Sequence, residues 1–169
     1  MCKPNSTPAA PRRPSARALA PAAALFALCS LGLPPPGAAE PAPPVTLTEV
    51  NTHVDPAATH LPDLKDLLRR SAETELRSID WGTQGLRRRY RVSASVVRLE
   101  SGRDGRVLTA SCAVSAAVRD DRGALLAIVE GRARAEEEGS APASAERGAL
   151  EGAVHGAIKR LPEAIRQAQ

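Results

Sequence analysis

Aromatic residues are nearly missing from this chain, with one Trp, one Tyr and one Phe among 169 residues. Any core must therefore be assembled from small aliphatic side chains. Lysine is scarce as well, three against twenty arginines. That bias suggests a GC-rich bacterial genome, so an arginine in a loop is weak ground for a function. Cysteine is limited to Cys2, Cys29 and Cys112, and no cysteine pair is spaced to hold a metal. There is no glycine-rich phosphate loop between a strand and a helix, and no Gly-x-Ser-x-Gly nucleophile elbow. The overall composition, 25% charged and 43% hydrophobic, excludes collagen-like, coiled-coil and wholly disordered classes.

What is present divides at about residue 40. Before it stand Lys3, Arg12, Arg13 and Arg17 with no acid; from Glu40 onward there are 19 basic and 19 acidic residues. The formal charge of +4 thus belongs to the leader, and bulk-charge binding of nucleic acid loses its support. Residues 1–17 are polar and basic, Ala18–Leu33 are apolar apart from Pro21 and Ser30, and Gly37-Ala38-Ala39 supplies small residues before Glu40. This is the pattern of a secretory signal peptide over 1–39. Its apolar stretch of about 16 residues is shorter than the roughly 20 that a membrane span needs. Cys29 follows Phe26-Ala27-Leu28, and Leu28 is too large for the position before a lipidated cysteine, so a lipid anchor at Cys29 is disfavoured. The expected location is the periplasm or cell envelope. The mature chain keeps only Cys112, so no intramolecular disulfide forms.

After a Pro-rich tether over 40–44, one domain is expected over 45–169. Val45–Val50 alternates as a short strand. Asn51–His60 reads as a loop, and Leu61–Ile79 as an amphipathic helix with Pro62 in its first turn. Three strands follow, over Tyr90–Glu100, Arg106–Arg119 and Ala124–Glu136, joined by turns at Ser101–Gly105 and Asp120–Gly123. In the first of them the apolar phase slips from Val96 to Val97 and Leu99, as a bulge would make it. Glu137–Ala143 reads as a flexible link, and Ser144 as the N-cap of a last helix ended or kinked at Leu161-Pro162. In that helix Gly148, Gly152 and Gly156 fall in one row, which suits close packing on an Ala-rich sheet better than a helix dimer. The order β-α-β-β-β-α predicts an α+β two-layer sandwich, a mostly antiparallel sheet with two helices on one face.

No candidate for chemistry rises above a structural reading. His53, Asp55 and His60 share a loop but match no helical metal-ligand spacing. His155 reads as a surface residue of the last helix, and Glu136-Glu137-Glu138 as a solvated turn. Arg87-Arg88-Arg89 reads as the solvated start of a strand, although it could grip a phosphate. Cys112 alternates with apolar neighbours and reads as a buried structural thiol. Trp81 reads as a cap on the core, with a binding anchor as the alternative. No catalytic residue, cofactor or metal is expected.

The stretches YRVSASVVRLES, LTASCAVSAAVRDDRG and LLAIVEGRARAE, followed by the helix ERGALEGAVHGAIKRLPEAI, carry a resemblance. They look like the bacterial envelope-domain superfamily of the penicillin-binding-protein activator lipoproteins, the curli-secretion lipoprotein and the N-terminal domain of the Tol–Pal translocation protein. In that superfamily strands with Asp…Gly turns precede an Ala-rich closing helix, and Asp120-Asp121-Arg122-Gly123 holds that place here. Many members bear a lipid-anchor cysteine, from which this leader departs. The resemblance implies a non-catalytic, partner-binding domain. The expected function is an exported partner-binding or assembly module for another cell-envelope protein, with peripheral envelope association and no transmembrane span in the mature chain. Arg91, Arg132, Arg134 and Trp81 are its candidate contacts. The polar sheet face or an edge strand at Val45–Val50 is its expected surface. A small periplasmic hydrolase or metal-dependent enzyme, or a small-ligand carrier, are the alternatives.

Overall fold

The computed structural model describes residues 44–82, 86, 88–139 and 141–169. The chain divides into two units, Met1–Ala39 and Glu40–Gln169. The expected signal peptide over 1–39 with its expected cut at Ala39, Cys29 and the expected tether up to residue 43 lie outside the described residues, as does Arg87.

The second unit is an α+β two-layer sandwich. Its elements are β1 (Val45–Thr52), a single 3-10 turn (Pro56–Ala58), α1 (Leu64–Ser78), β2 (Tyr90–Asp104), β3 (Val107–Asp120), β4 (Leu125–Glu138), α2 (Pro142–Ile158) and α3 (Leu161–Gln167). The sheet order is β1-β2-β3-β4, with β1 parallel to β2 and the remaining pairs antiparallel. Both long helices pack on one face. The parallel β1–β2 pair requires a crossover, which α1 supplies.

Period-2 patterning decides which face is covered. Val92, Ala94, Val96, Leu108, Ala110, Cys112, Val114, Ala116 and Val118 all turn toward the helices and are buried. They meet Leu64, Leu68, Ala72 and Leu76 of α1 and Ala149, Leu150, Ala153, Val154, Ala157 and Ile158 of α2 in one core. Leu161 and Ile165 of α3 complete it. The sheet floor is mostly Ala and Val, so the helix layer sits close.

Among the described glycines the tightest surroundings are at Gly131. A Cβ on this residue would lie 1.9 Å from the Ala153 carbonyl oxygen and 2.5 Å from the Ala157 nitrogen. The glycine row of α2 matches a row on β4. Added Cβ atoms at Gly148 and Gly152 would meet Ala135 and Ala133, and one at Gly156 would meet Gly131. The two rows run antiparallel and stay in step because four helical residues rise about 6 Å and two strand residues about 6.8 Å. Close packing on the sheet therefore accounts for the row.

Several boundaries differ from the sequence reading, each for a local reason. α1 starts at Leu64 rather than Leu61, because Asp63 takes a left-handed φ of 56° and breaks the helical path before it. The β2–β3 hairpin turns over Gly105–Arg106 only, so Ser101–Asp104 are strand and not loop. Gly105, at φ 59°, supplies the left-handed residue that a primed two-residue turn needs. The bulge falls at Val97, between the pairs Val96–Val114 and Arg98–Ala113. Leu99 returns to the core while Val97 is 51% exposed. β4 continues through Glu136–Glu138, so these acids belong to a strand and not to a turn. Ser144 is not the N-cap of α2. The helix begins at Pro142, and the Ser144 hydroxyl donates to Glu137 at 2.6 Å. The Asp120–Gly123 turn forms as expected: the Asp120 carboxylate accepts from the Arg122 and Ala124 amides at 3.0 and 2.8 Å, and Gly123 takes φ 86°.

Cys112 is 3% exposed, and burial pushes its thiol up to about 12. A polar thiol reagent is therefore expected to label it in the native protein only at the rate of unfolding. Cys112→Ser should cost about 1–3 kcal/mol, because a hydroxyl would enter an apolar layer. Labelling of native protein as fast as of urea-unfolded protein would refute this placement.

Candidate functional site

The sheet has a second face that no described element covers. β2 and β3 give it a floor of small, half-buried residues: Ser93, Ser95, Ser111, Ala113, Ser115 and Ala117. Long charged arms rise around them. Val97, Arg98, Ser111, Ala113, Glu130, Arg132 and Arg134 line a shallow depression of about 610 Å³. The bulge makes this depression, because it lifts Val97 out of the pleat and brings Arg98 opposite Ala113. Val97 and, farther along the same face, Ile128 at 60% exposure give it apolar ground.

Arg132 and Arg134 stand on β4 beside Ala113 and Ser111. Each pairs along its own strand, Arg132 with Glu130 and Arg134 with Glu136, both at 3.0 Å. Arg98 does the same with Glu100 at 3.1 Å. These pairs are solvent-exposed, and such pairs contribute little to stability. Arg91 lies at the other end of the face, beside Thr46 and Arg119. The face thus carries three of the four candidate contacts. The fourth, Trp81, is 8% exposed, and its indole N–H donates to the Leu76 carbonyl at 2.9 Å, closing the C-terminal turn of α1 from within the core.

β1 lies at a sheet edge, where its strand pattern and the tether before it had suggested. The hydroxyls of Thr46 and Thr48 donate to the carbonyls of Tyr90 and Val92. They reinforce its ladder to β2, and among the described residues no strand pairs with its outer side.

The loop histidines and acids go separate ways. The Asp55 carboxylate accepts from the Ala57 amide at 2.8 Å and caps the 3-10 turn. His53 is exposed. Among the described residues no group of three His, Cys, Asp or Glu side chains is placed to hold a metal ion. His155 contacts Glu75 of α1 at 2.9 Å and ties the two helices together. His60 meets a residue that sequence reasoning passed over. Its Nδ1 lies 2.7 Å from Oε1 of Glu146, which is fully buried in the first turns of α2. The same Oε1 accepts from the Ser101 hydroxyl at 2.8 Å, and Oε2 accepts from the Thr59 hydroxyl at 2.7 Å and the His60 amide at 2.8 Å. Burial alone would raise this carboxyl; the donations of His60, Thr59 and Ser101 outweigh it and hold the group below its ordinary value. In a Ser–His–acid relay the histidine stands between hydroxyl and acid. Here the carboxylate stands between, so the arrangement activates no nucleophile. It is a latch joining the loop before α1, the end of β2 and α2. The signal for it was the position: Glu146 precedes Leu150 by four residues and so shares the buried stripe.

Comparison with models of known protein families gives no match, and none of the curated proteins matches either. Among solved structures the chain is similar to a protein of Caulobacter crescentus provisionally described as a lipoprotein, at 14% identity and TM-score 0.46 over 74% of this chain and 90% of that one. It is similar to a hypothetical protein of Chlamydia trachomatis, at 15% identity and TM-score 0.41 over 73% and 93%. It is also similar to a minor lipoprotein of Acinetobacter baumannii, at 10% identity and TM-score 0.39 over 68% and 92%. These are bacterial lipoproteins and a protein of unassigned role; at such identities and scores no functional residue is carried over from them. Among the described residues no helix is long and apolar enough to cross a membrane.

Proposed function

We propose that this protein is exported to the bacterial envelope and there binds another envelope protein through the uncovered face of its sheet, without catalysis. The observation that carries the reading is the small-residue floor ringed by Arg98, Arg132, Arg134 and Glu130. A floor of Ser and Ala admits a partner closely and loses little hydration on being covered, while exposed arginines redirect their donors at small cost. Val97 and Ile128 add the apolar contact that a specific interface needs. Export rests on the tripartite leader and on the charge discontinuity at Glu40. This mode of action is the one expected of the envelope-domain superfamily of penicillin-binding-protein activators, curli-secretion lipoprotein and Tol–Pal translocation protein, with which we align the chain. The open side of β1 offers a second route, addition of a partner strand.

A photo-crosslinking residue placed at Ala113 is expected to give, in intact envelopes, one adduct with a different chain, and the same residue at Arg147 on the outer side of α2 none. Reversing charge at Arg91, Arg132 and Arg134 together should abolish that adduct while the thermal midpoint stays within a few degrees. Equal adducts at both positions, or an adduct indifferent to the reversal, would place the partner elsewhere.

A further inference from the structure

The other edge of the sheet carries outward backbone groups and two acids, Glu136 and Glu138, that the envelope reading does not use. β4 is long and regular, and its ladder to β3 runs without a break from Ala127 to Glu138. The Glu130 carbonyl points away from β3, because it accepts from the Arg160 side chain at 3.3 Å. Backbone groups alternate in direction along a strand. Those of Arg132, Arg134, Glu136 and Glu138 therefore face outward as well, and among the described residues nothing bonds them. Arg160 covers the edge at Glu130, and among the described residues the half from Arg132 onward stays open.

The side chains of these four residues all rise on the open face of the sheet, in the order plus, plus, minus, minus. That order is self-complementary in an antiparallel, two-fold pairing. If β4 meets another β4 antiparallel about a two-fold axis at Ala135, Arg134 stands opposite Glu136 of the second copy and Arg132 opposite its Glu138, twice over. Opposite charges at directly facing positions attract, and each such facing pair exchanges two backbone hydrogen bonds. Parallel, in-register stacking would set like charge on like, so the same order that favours the dimer opposes a fibre. The helix layer permits the approach. Gly148, exposed, packs on Ala135, and Gly152, also exposed, packs on Ala133, so at these two positions α2 raises no side chain beside the edge.

We propose that β4 pairs with β4 of a second copy of this chain and that the sheet continues across a two-fold axis at Ala135. The edge shares Arg132 and Arg134 with the rim of the Ser/Ala depression but adds the outward backbone groups of β4 and Glu136 and Glu138, and its test needs no envelope partner. It uses the full chain in reducing buffer and reads molecular mass by sedimentation. The wild type is expected to dimerise reversibly between micromolar and near-millimolar concentration. An all-acidic edge, Arg132→Glu with Arg134→Glu, and an all-basic edge, Glu136→Arg with Glu138→Arg, should each weaken self-association by about a hundredfold or more. An equimolar mixture of the two should form a heterodimer, which shows that both variants are folded and that charge across the edge directs the pairing. A wild type that stays monomeric throughout, variants that dimerise like the wild type, or a mixture that does not associate would each overturn the proposal. Adding a photo-crosslinker at Ala113 distinguishes the surfaces, since failure of that residue to capture an envelope protein leaves the edge-to-edge dimer unaffected.

Discussion

Gly131→Ala is expected to cost about 3 kcal/mol or more, the largest effect of a methyl added at any of the described glycines. The methyl would stand 1.9 Å from the Ala153 carbonyl oxygen and 2.9 Å from the Ala157 methyl. Backbone cannot move aside there as the tip of a flexible side chain would. Either α2 lifts from β4 or β4 bends away from α2, and both open the core at Val129, Val154 and Ile158. The glycines of α2 give a graded control. Gly152→Ala meets the Ala133 methyl at 2.9 Å and should be moderately destabilising. Gly148→Ala meets Ala135 at an ordinary 3.4 Å. It should be neutral or gain up to about 1 kcal/mol from helix propensity. Urea midpoints of the three variants check the order. A Gly131→Ala protein as stable as Gly148→Ala would mean that α2 does not lie where it is described.

Removing the buried carboxylate comes second. Glu146→Ala leaves the hydroxyls of Thr59 and Ser101 and the amide of His60 facing a void, and should cost about 3 kcal/mol at neutral pH. Glu146→Gln should recover only part of this, because its amide NH₂ would face donors where the wild type presents an acceptor. The pH dependence has a definite sign. The folded-state carboxyl lies below its ordinary value. Its contribution is therefore complete above the unfolded carboxylate pKa, near ~4.3, and is lost as pH falls through the folded value. The stability gap between wild type and Glu146→Ala should accordingly narrow in acid. A gap that stays constant from neutral pH down to well below the ordinary carboxylate range would show that the charge of Glu146 has no part in the latch.

These two sites mark how far the sequence could be read. The sheet was legible because one face of each strand is wet, so Leu108 to Val118 alternate without a fault and the helices that cover them are amphipathic. The Val97 bulge showed as a phase slip, although the slip alone did not say which of Val97 and Leu99 leaves the core. Glu146 was hidden because a buried acid looks, in sequence, like any acid at the start of a helix. Its partners Thr59, His60 and Ser101 come from 87 to 45 residues away. The start of α1 was misplaced because nothing in Leu-Pro-Asp-Leu announces that Asp63 adopts a left-handed backbone. The candidate face was legible as polarity, but the depression in it was not, since that depends on which residue the bulge leaves over.

The position of Trp81 has a spectroscopic consequence. The chain has one indole, and it is locked to the last turn of α1 by its own N–H. The β2–β4 meander assembles from neighbouring hairpins and contains no tryptophan. β1 must instead find β2 across more than forty residues of chain, with α1 laid over the join. Contacts between segments far apart in sequence are slow to form relative to hairpins. Fluorescence from this protein therefore times the docking of the βαβ crossover, while circular dichroism follows helices and sheet together, so a fluorescence phase slower than the dichroism phase marks the crossover as the late step without any label being introduced.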